Sequence, residues 1–248
     1  MRPPAAPLVR YGDDPEQVAN LHLPVGEGPF PCAVLVHGGF WRDRWDRTLM
    51  TPLACDLAAR GIAAWNLEYR RVGRPGGGGG FPGTLEDVAA GVDHLRLVPE
   101  VDTARVGAIG HSAGGHLALW LAAREAAVVM VRAVAAQAAV TDLARACAER
   151  LGDGAVEDFL GGAATAHPDR LARAAVPAAA LRETKVLLVH GTRDEDVPAA
   201  YSADLAAELP QARLELFAGD HFDVVDAGHD AWRLVADWIV ETLGGNRG

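Results

Sequence analysis

Gly110-His111-Ser112-Ala113-Gly114 sets a serine between two glycines at its second neighbours. A serine hydroxyl is a weak nucleophile. It attacks a carbonyl only when a base takes its proton and an acid holds that base. The chain offers both downstream. His190-Gly191-Thr192-Arg193-Asp194-Glu195-Asp196-Val197-Pro198 follows the apolar run Val186–Val189. An acid just past a strand end is placed to reach a histidine; Asp194 is the expected acid and Asp196 its rival. Gly219-Asp220-His221-Phe222 follows the run Leu214–Phe217, and His221 is the expected base. His37-Gly38-Gly39-Phe40-Trp41 follows a further run, Ala33–Val36. Its paired glycines let backbone N–H groups turn toward a developing oxyanion. Gly39 or Phe40 is expected to supply one donor and Ala113 the other, with Phe40 and Trp41 shaping the substrate pocket.

The remaining histidines have structural readings. His37 orders its glycine loop. His111, His116 and His190 flank the motifs and bond to backbone, His22 and His94 lie on surface faces, and His229 caps or is solvated near the terminal helix. No His-Glu-x-x-His motif or Cys/His cluster is written in the chain, so neither a metal nor a cofactor is expected.

A serine in that role needs a strand before it and a helix after it, and the pattern supplies both. Val106–Ile109 is a short apolar run ending at Gly110, and Leu117–Ala123 continues beyond the motif as a helix. Runs at Ala33–Val36, Ile62–Leu67, Lys185–Val189 and Leu214–Phe217 read as strands buried on both faces, as in a parallel sheet. Helical patterns alternate with them around Leu49–Ala58, Thr84–Leu97, Tyr201–Leu209 and Trp232–Leu243, with Thr84 as N-cap and Asp87 three residues on. Val18–Leu23 adds antiparallel edge strands. The alternation predicts an α/β architecture, a mostly parallel sheet with helices on both faces. Val72–Gly83, with five successive glycines, breaks the rhythm. It lacks the Gly-Lys-Ser/Thr ending of a phosphate loop and reads as a mobile surface loop. Asp142–Arg182 reads as a short cap-like insertion within one domain spanning 1–248.

Bulk properties narrow the partners. Half of the 248 residues are hydrophobic and 23% charged, which excludes a disordered chain. A net charge of -10 repels phosphate backbones, so nucleic acid is not an expected partner. The three cysteines, Cys32, Cys55 and Cys147, form no Cys-x-x-Cys and are expected to be buried and inert. Met1–Asp14 lacks the apolar run of a secretory signal, and no stretch is long enough to span a membrane. The expected location is the cytoplasm and the expected partner a small ester or amide, with no membrane association.

Taken together, these segments resemble the α/β-hydrolase superfamily along essentially the whole chain. His-Gly-Gly-Phe-Trp with Gly-His-Ser-Ala-Gly-Gly-His, and Asp220-His221-Phe222-Asp223, are similar to the small esterase and kynurenine-formamidase-like branch. The resemblance implies Ser112, Asp194 and His221 as a catalytic triad, acting on small carboxylic esters or aryl formamides. A prolyl-oligopeptidase-like peptidase is the rival activity, and a noncatalytic binding module that keeps the fold is the rival class. Serine at the nucleophile position argues against the chemistry of dienelactone hydrolases, dehalogenases and epoxide hydrolases.

Overall fold

Strand Phe30–Val36 shows why the sheet has two covered faces. Cys32, Val34 and Val36 point into one core, while Ala33 and Leu35 point into another. Such a strand reads as a continuous apolar run because neither face meets water. The computed structural model describes residues 6–244; the first five residues of the stretch tested for a secretory signal lie outside them.

Among the described residues eight strands form one sheet: β1 (Leu8–Arg10), β2 (Val18–His22), β3 (Phe30–Val36), β4 (Ala63–Leu67), β5 (Val101–His111), β6 (Ala133–Gln137), β7 (Lys185–Gly191) and β8 (Arg213–Phe217). Their spatial order is β1-β2-β4-β3-β5-β6-β7-β8. β1 and β2 pair antiparallel at one edge, and the strands from β4 to β8 run parallel. This is the α/β-hydrolase fold that the motif order implied.

Helices α1 (Thr51–Ala59) and α8 (Asp230–Gly244) cover one face through Leu53, Leu57, Trp232 and Ile239. Helices α2 (Gly83–Asp93), α3 (Ala113–Ala123) and α7 (Ala200–Glu208) cover the other through Val88, Leu117 and Leu205. The insertion between β6 and β7 folds as α4 (Leu143–Ala148), α5 (Leu151–Leu160) and α6 (Pro168–Ala174). It packs on that same core through Leu143, Phe159 and Ala174. No helix among the described residues is long and apolar enough to cross a membrane.

Thr84 and the cysteines depart from expectation, and one strand went unread. Strand β6 was hidden inside an alanine-rich stretch. Alanine favours helix in isolation, but Ala133–Gln137 lies wholly buried between β5 and β7, and that placement overrides the preference. Thr84 is not an N-cap: it sits inside α2, and its hydroxyl donates to the Arg70 carbonyl. Asp87 instead receives the Arg70 guanidinium and the Gln17 amide. The glycine run is exposed at its tip but fastened at its end, where the Phe81 N–H donates to the Phe159 carbonyl at 2.7 Å. Of the cysteines only Cys32 is buried; Cys147 is half-buried, and Cys55 is exposed with its Sγ 3.7 Å from His22 Nδ1.

Candidate active site

Strand β5 ends at His111 and helix α3 begins at Ala113, so Ser112 alone makes the turn. Its backbone has φ 57° and ψ -121°, outside the regions an L-residue prefers. Strain of this kind persists only where the surroundings over-determine it. Here the Ser112 N–H is held by the Gln137 carbonyl at the end of β6. The flanking glycines let strand and helix touch. A Cβ on Gly110 would lie 2.1 Å from the Gly114 carbonyl oxygen, and one on Gly114 would lie 2.1 Å from that of Val36.

The loop after β3 lies beside this turn. Gly39, Phe40 and Trp41 all have positive φ, at 120°, 55° and 57°. The N–H groups of Gly39, Phe40 and Ala113 have no partner among the described residues. Free donors beside the Ser112 turn suit an oxyanion. His37 anchors the loop from beneath: its Nε2 lies 2.9 Å from Glu68 Oε1, and its ring stacks on Tyr69 at 4.4 Å. The Tyr69 hydroxyl donates to the His37 carbonyl at 2.8 Å. Burial pushes the Glu68 carboxyl up, but His37, Arg71 and the Arg47 N–H outweigh it and hold the pKa at about 2.

His221 Nδ1 is 2.6 Å from Asp194 Oδ2. A carboxylate only accepts, so Nδ1 carries the proton and Nε2 of the neutral ring stays free to take one. The Asp194 side chain is fully buried. Burial pushes its carboxyl up, but the adjacent His190 and hydrogen bonds from His221 and the Val197 N–H hold it well below the usual carboxylate range. Asp196 is held differently. Its N–H donates to Asp194 Oδ1, while its own half-buried carboxylate faces the cavity and makes no bond to His221 among the described residues. Atoms of Asp194, Asp196 and His221 lie within 4.8 Å of one another, a spacing open to a cation. The Asp194 oxygens are already occupied by N–H donors, so we read the group as a hydrogen-bonded aspartate–histidine pair with a neighbouring acid.

Ser112 and His221 line one small cavity, together with Gly39, Phe40, Trp45 and Phe222. No hydrogen bond joins the Ser112 hydroxyl to His221 among the described residues; they meet as neighbours on this wall. His111, also on the wall, donates from Nε2 to the His221 carbonyl at 2.9 Å. Burial and the adjacent His221 drive its pKa down to about 3, so it stays neutral and fixes the loop that carries His221. A larger depression lies between α4, α6 and α7, and its wall includes neither Ser112 nor His221.

Trp41 does not reach the cavity, which corrects the expectation that it shapes the pocket. It is fully buried, stacked on Phe159 at 4.9 Å and edge-on to His116 at 5.4 Å. Its neighbour Arg42 reaches the same helix, donating to the carbonyls of Gly152 at 2.6 Å and Asp153 at 3.2 Å in α5. Phe40 does line the cavity. The other aromatic walls are Trp45 and Phe222, 40% and 38% exposed with ring centroids 5.9 Å apart. Sequence reasoning missed both, and also Arg44 beside them. Phe222 had a signal, since it directly follows His221; Trp45 and Arg44 had none.

The BD-FAE family model matches residues 20–209. Among curated proteins, no sequence matches the chain. Solved structures do. A bifunctional GH43-CE protein of Bacteroides eggerthii aligns at TM-score 0.77 and 19% identity over 94% of this chain, which spans 37% of that protein. Esterase B of Lactobacillus rhamnosis, in a structure with a tributyrin phosphonate, aligns at TM-score 0.78 and 21% identity over 96% of this chain and 84% of its own. Thermogutta terrifontis esterase 2 phosphonylated by sarin aligns at TM-score 0.78 and 20% identity over 99% of this chain and 97% of its own. At these identities the likeness is one of fold.

Proposed function

The chain belongs to the BD-FAE family, and on that premise we propose that it is a serine hydrolase cleaving small carboxylic esters. The observation that carries the reading is the strained Ser112 turn sharing a cavity wall with His221, whose other ring nitrogen is bonded to buried Asp194. In this reading Ser112 Oγ attacks the ester carbonyl while its proton passes to His221 Nε2. The N–H groups of Gly39 or Phe40 and of Ala113 hold the oxyanion. His221 then protonates the leaving alcohol, and water cleaves the acyl-enzyme by the reverse use of the same base. Asp194 keeps the imidazole in the tautomer that leaves Nε2 bare.

The esterase names of the matched structures support ester over peptide substrates. The narrow cavity, walled by Phe40, Trp45 and Phe222, suits a short acyl group with a flat leaving group outside it. The same aromatic mouth admits an aryl formamide, the second substrate class to which the sequence pointed.

Labelling with a fluorophosphonate, followed by turnover of p-nitrophenyl acetate, tests the proposal. Wild type is expected to be labelled on Ser112 and to turn over the ester. Ser112→Ala is expected to take no label and to lose activity by several orders of magnitude while keeping its fold. An unlabelled, inactive wild type would leave a binding module with a hydrolase fold.

A further inference from the structure

Asp194 is held by two histidines. Its Oδ2 lies 2.6 Å from His221 Nδ1 and 3.2 Å from His190 Nε2. His190 is fully buried at the end of β7, on the strand whose carboxyl end carries Asp194. Its Nε2 is also 2.8 Å from the Val197 carbonyl oxygen, and its Nδ1 is 2.7 Å from the hydroxyl of buried Ser202 in α7.

These partners decide the ring's protons. A carbonyl and a carboxylate both only accept, so His190 Nε2 carries a hydrogen; it donates to the Val197 carbonyl, and Asp194 Oδ2 lies 3.2 Å away beside that bond. The Ser202 hydroxyl then donates to Nδ1. On the other side of Asp194, Oδ1 accepts from the Asp196 N–H at 2.9 Å and the Val197 N–H at 2.8 Å. Val197 thus binds Asp194 through its N–H and His190 through its carbonyl. Val197 ties the turn, the buried histidine and the carboxylate together, and the polar edge of His190 faces Oδ2, which restricts rotation of the carboxylate.

We propose that His190, set by Ser202, is a positioning residue that fixes the direction in which Asp194 Oδ2 faces His221. The inference rests on the hydrolase reading for its effect on turnover. The His190–Asp194–His221 relation itself can be measured without turnover. His190→Leu keeps most of the ring's volume and removes the donor. His190→Gln returns an N–H close to the position of Nε2.

The expected result for His190→Leu is kcat lowered about 10- to 100-fold, the cost of misplacing a catalytic group by about 1 Å. KM on p-nitrophenyl acetate is expected to stay within about twofold, because substrate does not touch His190. The His221 Nδ1 proton, followed by NMR in the free protein, moves from its wild-type resonance. His190→Gln restores most of kcat and brings the resonance back. A folded His190→Leu protein with the wild-type resonance overturns the proposal. So does a loss of kcat that His190→Gln does not recover, since that marks a packing role. Should His190→Leu fail to fold, Ser202→Ala carries the same test: a moved resonance supports the proposal and an unmoved one overturns it. If wild type cleaves no ester and the resonance still moves, the hydrolase reading falls and the positioning relation stands.

Discussion

A Cβ on Gly38 would lie 2.9 Å from the Cβ of Ser112 and equally close to the His111 carbonyl oxygen. The proposed oxyanion loop therefore rests on the nucleophile turn with no room for a methyl group between them. Gly38→Ala must part the two. The expected outcome is kcat/KM lowered by about 100-fold, as for an angstrom-scale displacement. The overpacking should cost about 1–3 kcal/mol of stability. Ester turnover and a urea midpoint on the same preparation check this. Wild-type turnover would show that the contact is slack.

The acid role separates two neighbours. Asp194 accepts from His221, whereas Asp196 offers only its backbone N–H to Asp194. Asp194→Asn is expected to lower kcat roughly ten-thousand-fold, because an amide can favour the wrong imidazole tautomer. Asp196→Asn should cost far less. Steady-state kinetics of both variants decide the matter, and the reverse ranking would move the role to Asp196.

Low pH should loosen the support under the oxyanion loop. The folded pKa of Glu68, about 2, lies below its ordinary 4.5. A depressed carboxyl stabilises the fold fully above the unfolded value, and that stability is lost as pH falls through the folded one. The window is therefore between these two values. Urea midpoints of wild type and Glu68→Gln across it check the assignment. Glu68→Gln should be less stable near neutrality and should show a shallower decline on acidification. Parallel curves would place the charge effect elsewhere.

Substrate size follows from the cavity walls. We expect kcat/KM on p-nitrophenyl esters to be highest for acetyl or butyryl and to fall through octanoyl to palmitoyl. Trp45→Ala removes an exposed aromatic wall that packs on Phe222. It should raise KM for aryl esters about 2- to 10-fold, the worth of one aromatic contact, with little change in kcat. A maximum at palmitoyl would defeat the small-ester reading. N-formylkynurenine belongs in the same panel: failure to cleave it, with esters cleaved well, removes the formamide option.

Much of this architecture was legible because it is local. The glycines around Ser112 mark a strand-to-helix turn in any setting where backbones must touch. Asp194 and His221 each follow an apolar run by a few residues. What escaped depends on distant partners. Nothing near Ala133 says that β5 and β7 will enclose it. Trp41 and Trp45 are four residues apart on the same loop, yet one is buried against Phe159 in the insertion and the other opens on the cavity. Thr84 has the local grammar of a cap, and the Arg70 carbonyl, fourteen residues back, takes its hydroxyl instead.

The grip of Arg42 on the carbonyls of Gly152 and Asp153 has a bearing on redesign. Arg42 also reaches Asp158 at 2.8 Å, and a Cβ on Gly152 would press on the Phe40 ring at 2.9 Å. The loop beside the nucleophile and the insertion above it are therefore one mechanical part, though more than a hundred residues separate them. Transplanting a foreign cap onto this scaffold would bring in side chains never fitted to Phe40 and Arg42. The graft should carry residues 39–45 and the insertion together as a single cassette.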